Sequence, residues 1–426
     1  MKNVTVIGAG LAGCEATWQL ASRGVPVTLV EMKPHKRTPA HTADGFAELV
    51  CSNSLRSDRL TNAVGLLKEE MRRLDSLVMR AADQARVPAG GALAVDRAVF
   101  SSFVTDALKA HPNVSVVSME ATEIPEANAI VATGPLTAGP LAAAIAERFG
   151  SLSFYDAAAP IVTAESIDQQ KTFHQSRYGR GDDYLNCPMA APEYDAFYQA
   201  LLEAETAPVH GFEEKHVFEG CMPVESLARR GKLSLAFGPM KPVGLTDPRT
   251  GKRPFAVVQL RQEDAAGVLY NLVGFQTRLT FPEQRRVFGM IPGLENAEFA
   301  RFGVMHRNTF IRAPGVLDRS FRVIGSDNVY FAGQITGVEG YVESAASGLV
   351  AGLSLAEPLD GKAPPAFPPI TAIGALCRHI STETRDYQPM NISFGLIDPY
   401  PERIRDKARR YTAILERALL AIDELR

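Results

Sequence analysis

The first thirty-one residues restrict the fold of this chain more than any other stretch. Val4, Val6 and Ile7 form a short β-branched run, and Gly8-Ala9-Gly10-Leu11-Ala12-Gly13 follows directly with G-x-G-x-x-G spacing. In that pattern Gly8 permits a tight turn, Gly10 lets the backbone approach a pyrophosphate, and Gly13 lets the next helix lie close on the strand. The helix then aims its unpaired N–H groups and positive dipole end at the phosphates. A second apolar run, Val25 to Val30, ends in Glu31, where a carboxylate can accept hydrogen bonds from a ribose diol. An acid there favours an unphosphorylated ribose. A tight turn without a ligand is the alternative, and the joint presence of strand, turn, helix, second strand and terminal acid weighs against it.

Composition bears on what surrounds this unit. With 426 residues, 46% hydrophobic and 22% charged, the chain can bury a large core and is expected to form two or three units. No apolar run approaches the length of a membrane span, and the first strand begins too early for a signal peptide to precede it, so the cytoplasm is the expected compartment. Five cysteines, Cys14, Cys51, Cys187, Cys221 and Cys377, form no C-x-x-C pair, which argues against a disulfide framework or a zinc site. The formal charge of -3 means that a nucleic-acid partner must be met by a local basic patch.

The chain divides by texture into residues 1–150, 151–312, 313–360 and 361–426. In the first part, Leu67, Met71, Leu74, Val78 and Ala81 predict one amphipathic helix from Thr61 to Ala82, with Thr61 as N-cap. Asp96 can cap a helix running to about Lys109, and Ala129 to Gly134 reads as a buried strand ending in a Thr-Gly turn. From Phe154 to Arg312, short alternating segments (Ile161 to Glu165, Leu233 to Phe237, Phe255 to Leu260, Leu269 to Phe275) and two helical stretches, Pro192 to Ala204 and Pro282 to Met290, read as an inserted α+β domain with an antiparallel sheet. The first texture then returns. Val329 to Gly333 is a strand, Gln334 to Gly340 a second glycine-rich loop containing Gly337, and Tyr341 to Ala356 a small-residue helix. The expected architecture is α/β: a discontinuous Rossmann-like FAD-binding domain with an inserted α+β domain, the late loop holding the flavin end. A proline-rich linker and a helix from Pro401 to about Leu425 close the chain. Arg403, Arg405, Lys407, Arg409 and Arg410 could meet phosphates or form a solvated face.

Most interior cysteines are small hydrophobes. Two stand at junctions: Cys221 in Glu219-Gly220-Cys221-Met222-Pro223, before a proline that can start a helix, and Cys51 before Ser52-Asn53-Ser54. His306-Arg307-Asn308 offers stacking, charge and an amide to a flat heterocycle, and Tyr341 could cover an isoalloxazine ring. A solvated strand end and a core tyrosine are the bland readings. No second G-x-G-x-x-G offers a separate nicotinamide domain, so NADH or NADPH would dock transiently against the flavin.

GAGLAGCEA near residue 8, AELVCSNSL around Cys51, ARVPAGGALAVDR at 85–97, ATGPLT at 132–137, YLNCPM at 184–189, GPMKPVGL at 238–245, FAVVQLRQED at 255–264, MIPGLENAEF at 290–299, VMHRNTF at 304–310 and GVEGYVESAASG at 337–348 together closely resemble the folate- and FAD-dependent tRNA (uracil-54-C5)-methyltransferases. The likeness runs nearly end to end. A more distant one extends to flavoproteins that modify wobble uridines of tRNA. The resemblance implies that 5,10-methylenetetrahydrofolate supplies a carbon to uracil C5, that reduced FAD supplies the reducing equivalents, and that NADH or NADPH regenerates the flavin. Thiolate addition at C6 makes an enolate whose C5 attacks the methylene, and elimination leaves an exocyclic methylene for hydride reduction. It also implies that Cys221 is the C6 nucleophile and Cys51 its partner in acid/base or methylene-transfer chemistry, that His306 stacks on the pterin with Arg307 and Asn308 beside it, and that Tyr341 lines the flavin. Some relatives act on ribosomal RNA. A small-molecule FAD oxidase would share the dinucleotide signals without the remaining blocks, and a purely structural flavin would leave the two cysteines without a role.

Overall fold

The computed structural model describes residues 3–38, 40–150, 152–207, 222–384 and 387–425, with the backbone alone for residues 152–156, 305–307 and 327. The β-branched run Val4–Ile7 is the centre of a five-stranded parallel sheet. Val27–Glu31 and Ala127–Val131 flank it, and Val114–Ser118 and Asp327–Phe331 form the two edges. A parallel sheet of this kind is covered on both faces, which is why its central strands read as unbroken apolar runs. The late strand completes the sheet of the early ones, as the return of texture at Val329 predicts.

What holds the layers together is a contact between two helices far apart in sequence. The Leu11–Ala21 helix carries ten buried residues out of eleven, and the Tyr341–Leu359 helix lies along it. Gly348 faces the carbonyl oxygen of Ala12 so closely that any Cβ would overlap it, and a Cβ on Gly352 would fall 2.9 Å from the oxygen of Ala16. Small residues therefore allow backbone-to-backbone packing, and fix the late glycine loop opposite the early one.

The expected single helix from Thr61 to Ala82 is two helices, Ala63–Arg73 and Leu77–Gln84, and Asn62 rather than Thr61 stands at the first N-cap. Asp75 takes φ 62° and Ser76 caps the second helix by accepting from Met79 N. Hydrophobic period continues across the break, and only capping chemistry betrays it. The buried Glu15 carboxylate accepts from Ser76 Oγ (2.7 Å) and Val78 N (2.9 Å), so the second helix start is also satisfied from the first helix. Asp96 caps Arg97–Lys109 as expected.

The inserted part is a six-stranded antiparallel sheet in the order Phe173–His174, Tyr184–Met189, Ala256–Gln262, Leu269–Leu272, Ile161–Thr163, Phe299–Arg301. Ala191–Glu203 and Phe281–Phe288 are its helices. Leu233 to Phe237, read as a strand, forms a short helix Ser234–Phe237 bounded by Gly231 and Gly238. The chain leaves and re-enters through an antiparallel ribbon in which Leu152–Ala157 pairs with Met305–Phe310.

The C-terminal residues pack into the first core. Ile373, Leu376, Cys377 and Ile380 of the Ala372–Ser381 helix, and Ile414, Ala418 and Ile422 of the Lys407–Asp423 helix, are buried there. The last helix starts at Lys407, later than Pro401, because Asp406 caps it by accepting from Arg409 N. Buried Glu70 accepts from Ala372 N (2.7 Å) and Ile373 N (2.8 Å), which ties the Ala372–Ser381 helix to Ala63–Arg73.

Two outcomes follow from this packing. Gly348→Ala forces the Ala12 backbone away and is expected to cost about 2 kcal/mol; melting temperature and urea midpoint should fall together. Burial pushes the Glu70 carboxyl up to about 8, against its two hydrogen bonds. The folded state then keeps a proton that the unfolded chain releases near its ordinary value of 4.5. This contribution to stability is present below about 4.5 and is lost as pH rises through about 8. Glu70→Gln should flatten the fall in urea midpoint across that window.

Candidate active site

The strand Val4–Ile7 ends in a turn that glycine alone permits. Gly8 has φ 97°, and a Cβ there would lie 2.7 Å from the carbonyl oxygen of Ala132. A Cβ on Gly13 would overlap the carbonyl oxygen of Gly8, so Gly13 is required by helix-to-strand packing. Gly10 differs: a Cβ would meet nothing within 4 Å, so its missing side chain leaves room beside the loop. These are the three separate roles that the spacing suggests.

Above the turn lies a cavity of about 380 Å³. Gly8, Ala9, Gly10, Leu11 and Ala12 form one wall, with Glu31 at the end of the second strand and Thr133-Gly134 at the end of the third. Gly333, Tyr341 and Ser344 close the other side. Glu31 is buried, its carboxylate accepting from Ala9 N (2.7 Å) and Lys33 N (3.0 Å), so the acid is held against the loop with lone pairs to spare. Gly333 has φ 87° and donates from its N–H to Ser347 Oγ (2.6 Å). This donor set suits an extended dinucleotide: helix N–H groups for a pyrophosphate, an acid for a ribose diol, and a Tyr-bearing loop at the far end. Of the other glycines in the late loop, Gly337 packs against Tyr387 and Gly340 against Glu343 and Asn391, so both shape the loop from behind.

Tyr341, which lines this cavity, meets Cys51. Its Oη accepts from Cys51 N (2.7 Å) and Ser52 N (3.3 Å), and lies 2.9 Å from Cys51 Sγ. Burial holds the phenol's pKa well above the usual tyrosine value, so it keeps its proton. With both lone pairs taken by backbone N–H groups, that proton is directed at the sulfur. A phenol donor there favours a thiolate.

Three arginines surround the same loop. Arg97 donates to Leu49 O (2.9 Å), Arg301 to Val50 O, and Arg261 to Ser52 Oγ (2.9 Å) and Asn53 Oδ1 (3.0 Å). Buried Glu263 pairs with Arg97 at 2.9 Å and with Arg261 at 4.0 Å, leaving excess positive charge beside the thiol. Asn53, fully buried, donates to Val95 O (3.1 Å) on one side and Gln262 O (3.0 Å) on the other. The Cys51 loop is thus the seam between the two sheets. Sequence reasoning does not single out these arginines. They lie within ALAVDR, FAVVQLRQED and the residues after MIPGLENAEF, but no spacing links positions 97, 261 and 301.

Cys221 lies outside the described residues. His306, Arg307 and Asn308 fall on the connecting ribbon, opposite Asp156, Tyr155 and Phe154. Asn308 is 3% exposed and faces inward; the other two side chains are not described. Cys14, Cys187 and Cys377 are buried, and burial pushes each thiol up, as inert core cysteines require. Among the described residues no cluster of His, Cys, Asp or Glu could hold a metal ion, and no helix is long and apolar enough to cross a membrane.

Tyr341→Phe keeps the ring on the cavity wall and removes the proton aimed at Sγ. The pH midpoint for iodoacetamide labelling of Cys51 is expected to rise.

Similarity to known proteins places the chain in a family. Residues 3–363 match the family described as Glucose inhibited division protein A. A protein of Staphylococcus carnosus (strain TM300) named methylenetetrahydrofolate–tRNA-(uracil-5-)-methyltransferase TrmFO is 59% identical over 99% of this chain and 98% of its own. One of the same name from Listeria innocua serovar 6a is 58% identical over 100% of this chain and 99% of its own. The solved structure of Aquifex aeolicus GidA in its form II crystal, 16% identical, superposes with a TM-score of 0.70 over 99% of this chain and 73% of that one, a likeness of fold. The chain belongs to the Glucose inhibited division protein A family and, within it, to the TrmFO group that these relatives represent.

Proposed function

We propose that this protein methylates C5 of a uracil in tRNA, at position 54 of the T-loop, with 5,10-methylenetetrahydrofolate as carbon donor. The observation that carries this reading is the junction of two glycine loops on one cavity whose lining residue Tyr341 holds Cys51 by hydrogen bonds. The end-to-end likeness to the TrmFO relatives supports it. FAD, when bound and reduced by NADH or NADPH, supplies the hydride that turns the transferred methylene into methyl.

The chain's own residues do the rest. The Gly8–Gly13 turn and the Leu11–Ala21 helix would hold the pyrophosphate of FAD, Glu31 its ribose, and Gly333 and Tyr341 the flavin end. Cys221 adds to uracil C6. The π pair of the C5–C6 bond moves to C5 and the O4 carbonyl, and C5 bonds to the folate methylene as one methylene C–N bond breaks and its pair stays on nitrogen. Loss of the C5 proton with cleavage of the second C–N bond leaves an exocyclic methylene and releases tetrahydrofolate. Cys51, held by Tyr341 near Arg261 and Arg301, is the partner of Cys221 in acid/base or methylene-transfer chemistry. His306, Arg307 and Asn308 would meet the pterin from the connecting ribbon.

The test is incorporation of labelled methylene from 5,10-methylenetetrahydrofolate into an unmodified tRNA transcript, beside a transcript with uracil-54 changed to cytosine. Label in the first alone is expected. Cys51→Ala and Cys221→Ala should each abolish it while retaining FAD. Full incorporation by both variants would overturn the thiol chemistry, label in ribosomal RNA alone would move the target, and label in no RNA would favour a small-molecule oxidoreductase.

A further inference from the structure

Three phenylalanine rings are stacked at the edge of the six-stranded sheet, away from the cavity. Phe281 opens the Phe281–Phe288 helix, Phe299 lies on the edge strand, and Phe302 follows that strand. Phe302 is in the middle. Its ring centroid is 4.5 Å from that of Phe281 at 16° between planes, and 5.0 Å from that of Phe299 at 11°. Near-parallel rings at these centroid distances are offset stacks, one of the arrangements that aromatic pairs prefer. Phe281, at the outer end, is 48% exposed.

The column is held from beneath by a buried amide. Gln284 donates through Nε2 to the carbonyls of Leu279 (2.8 Å) and Gly303 (2.8 Å), and its Oε1 accepts from Gly303 N (2.8 Å). These bonds join the residue next to Phe302 to the chain just before Phe281, so the rings are stacked before any ligand arrives. Arg285 places its guanidinium 4.6 Å from the Phe302 centroid. Its neighbour Arg286 pairs with Glu283, whereas Arg285 forms no ion pair among the described residues. Between Phe299 and Phe302 stands Arg301, whose guanidinium holds the carbonyl of Val50, the residue before Cys51. Arg301 thus links the strand that carries Phe299 to the loop that carries the thiol.

Phe281, half exposed at the end of a near-parallel stack, with a cation over the next ring that forms no ion pair among the described residues, matches what single-stranded nucleic acid requires: a platform for a base and a charge for its phosphate. A uracil in a folded RNA must leave its stack before C5 and C6 can be reached, and its neighbour then loses a stacking partner. We propose that the exposed face of Phe281, backed by Phe302 and Phe299 and flanked by Arg285, receives a nucleobase of the RNA adjoining the extruded uracil. This rests on the tRNA reading above. The half-exposed ring favours a base over an apolar protein partner because the charge beside it suits a phosphate.

The full-length holoenzyme with Phe281→Leu and Phe281→Trp tests it. Leucine keeps apolar volume and loses the π-face; tryptophan keeps the face. The KM for tRNA is expected to rise about tenfold in the leucine variant and to stay near the native value in the tryptophan variant, at equal melting temperature. A stem-loop RNA with 2-aminopurine beside its target uracil should be quenched by the native and tryptophan proteins and much less by the leucine protein. Unchanged KM and quenching in Phe281→Leu would overturn the proposal. So would equal losses in both variants that track melting temperature, or a change of sedimentation that marks the ring as a contact between copies. If the native enzyme methylates no RNA, the tRNA reading fails on its own, and the quenching comparison still decides whether Phe281 stacks on a base.

Discussion

The contact of Gly348 with the carbonyl of Ala12 is the constraint on which the site depends. A strand, glycine turn and helix at the start of the chain can offer phosphates one wall of N–H groups. They cannot hold the far end of an extended dinucleotide. The late helix supplies that end only because two glycines let its backbone lie against the first helix, which sets Gly333 and Tyr341 across the cavity from Gly8 and Glu31. An ordinary interhelical distance of 8–10 Å would move the Tyr-bearing loop outward and break its hydrogen bonds to Cys51.

The same logic of satisfying backbone groups from a distance recurs elsewhere. Glu15 and Glu70 are buried carboxylates, each accepting from the first N–H groups of a helix belonging to another part of the chain. Each binds one layer to the next through groups that a helix start leaves without partners. Removing either acid would orphan several buried donors at once. Tertiary order here is stored in helix ends as much as in apolar packing.

Cys51 gains its chemistry from being a seam residue. Its loop is bonded by Arg97 from the first domain and by Arg261 and Arg301 from the inserted sheet, while Tyr341 reaches it from the late helix. Charge and phenol proton thus converge from three segments that fold on two different sheets. A thiol in the middle of either core feels mainly desolvation, as Cys14 and Cys187 do.

The amino-acid sequence by itself determined the local elements whose signal is local: the β-branched run, the G-x-G-x-x-G turn, Glu31, the Asp96 cap, and the antiparallel character of the insert. It also marked Cys51, Tyr341 and the late glycine loop, since turn chemistry and motif blocks are read along the chain. It misjudged the helix break at Asp75 and the start of the last helix, where one capping side chain outweighs periodicity. The arginine cage at 97, 261 and 301, the Glu15 and Glu70 staples and the Phe281 column were decided by tertiary structure alone. Each depends on residues brought together by the closing of two sheets, and a hydrogen bond between distant segments leaves no period in a sequence.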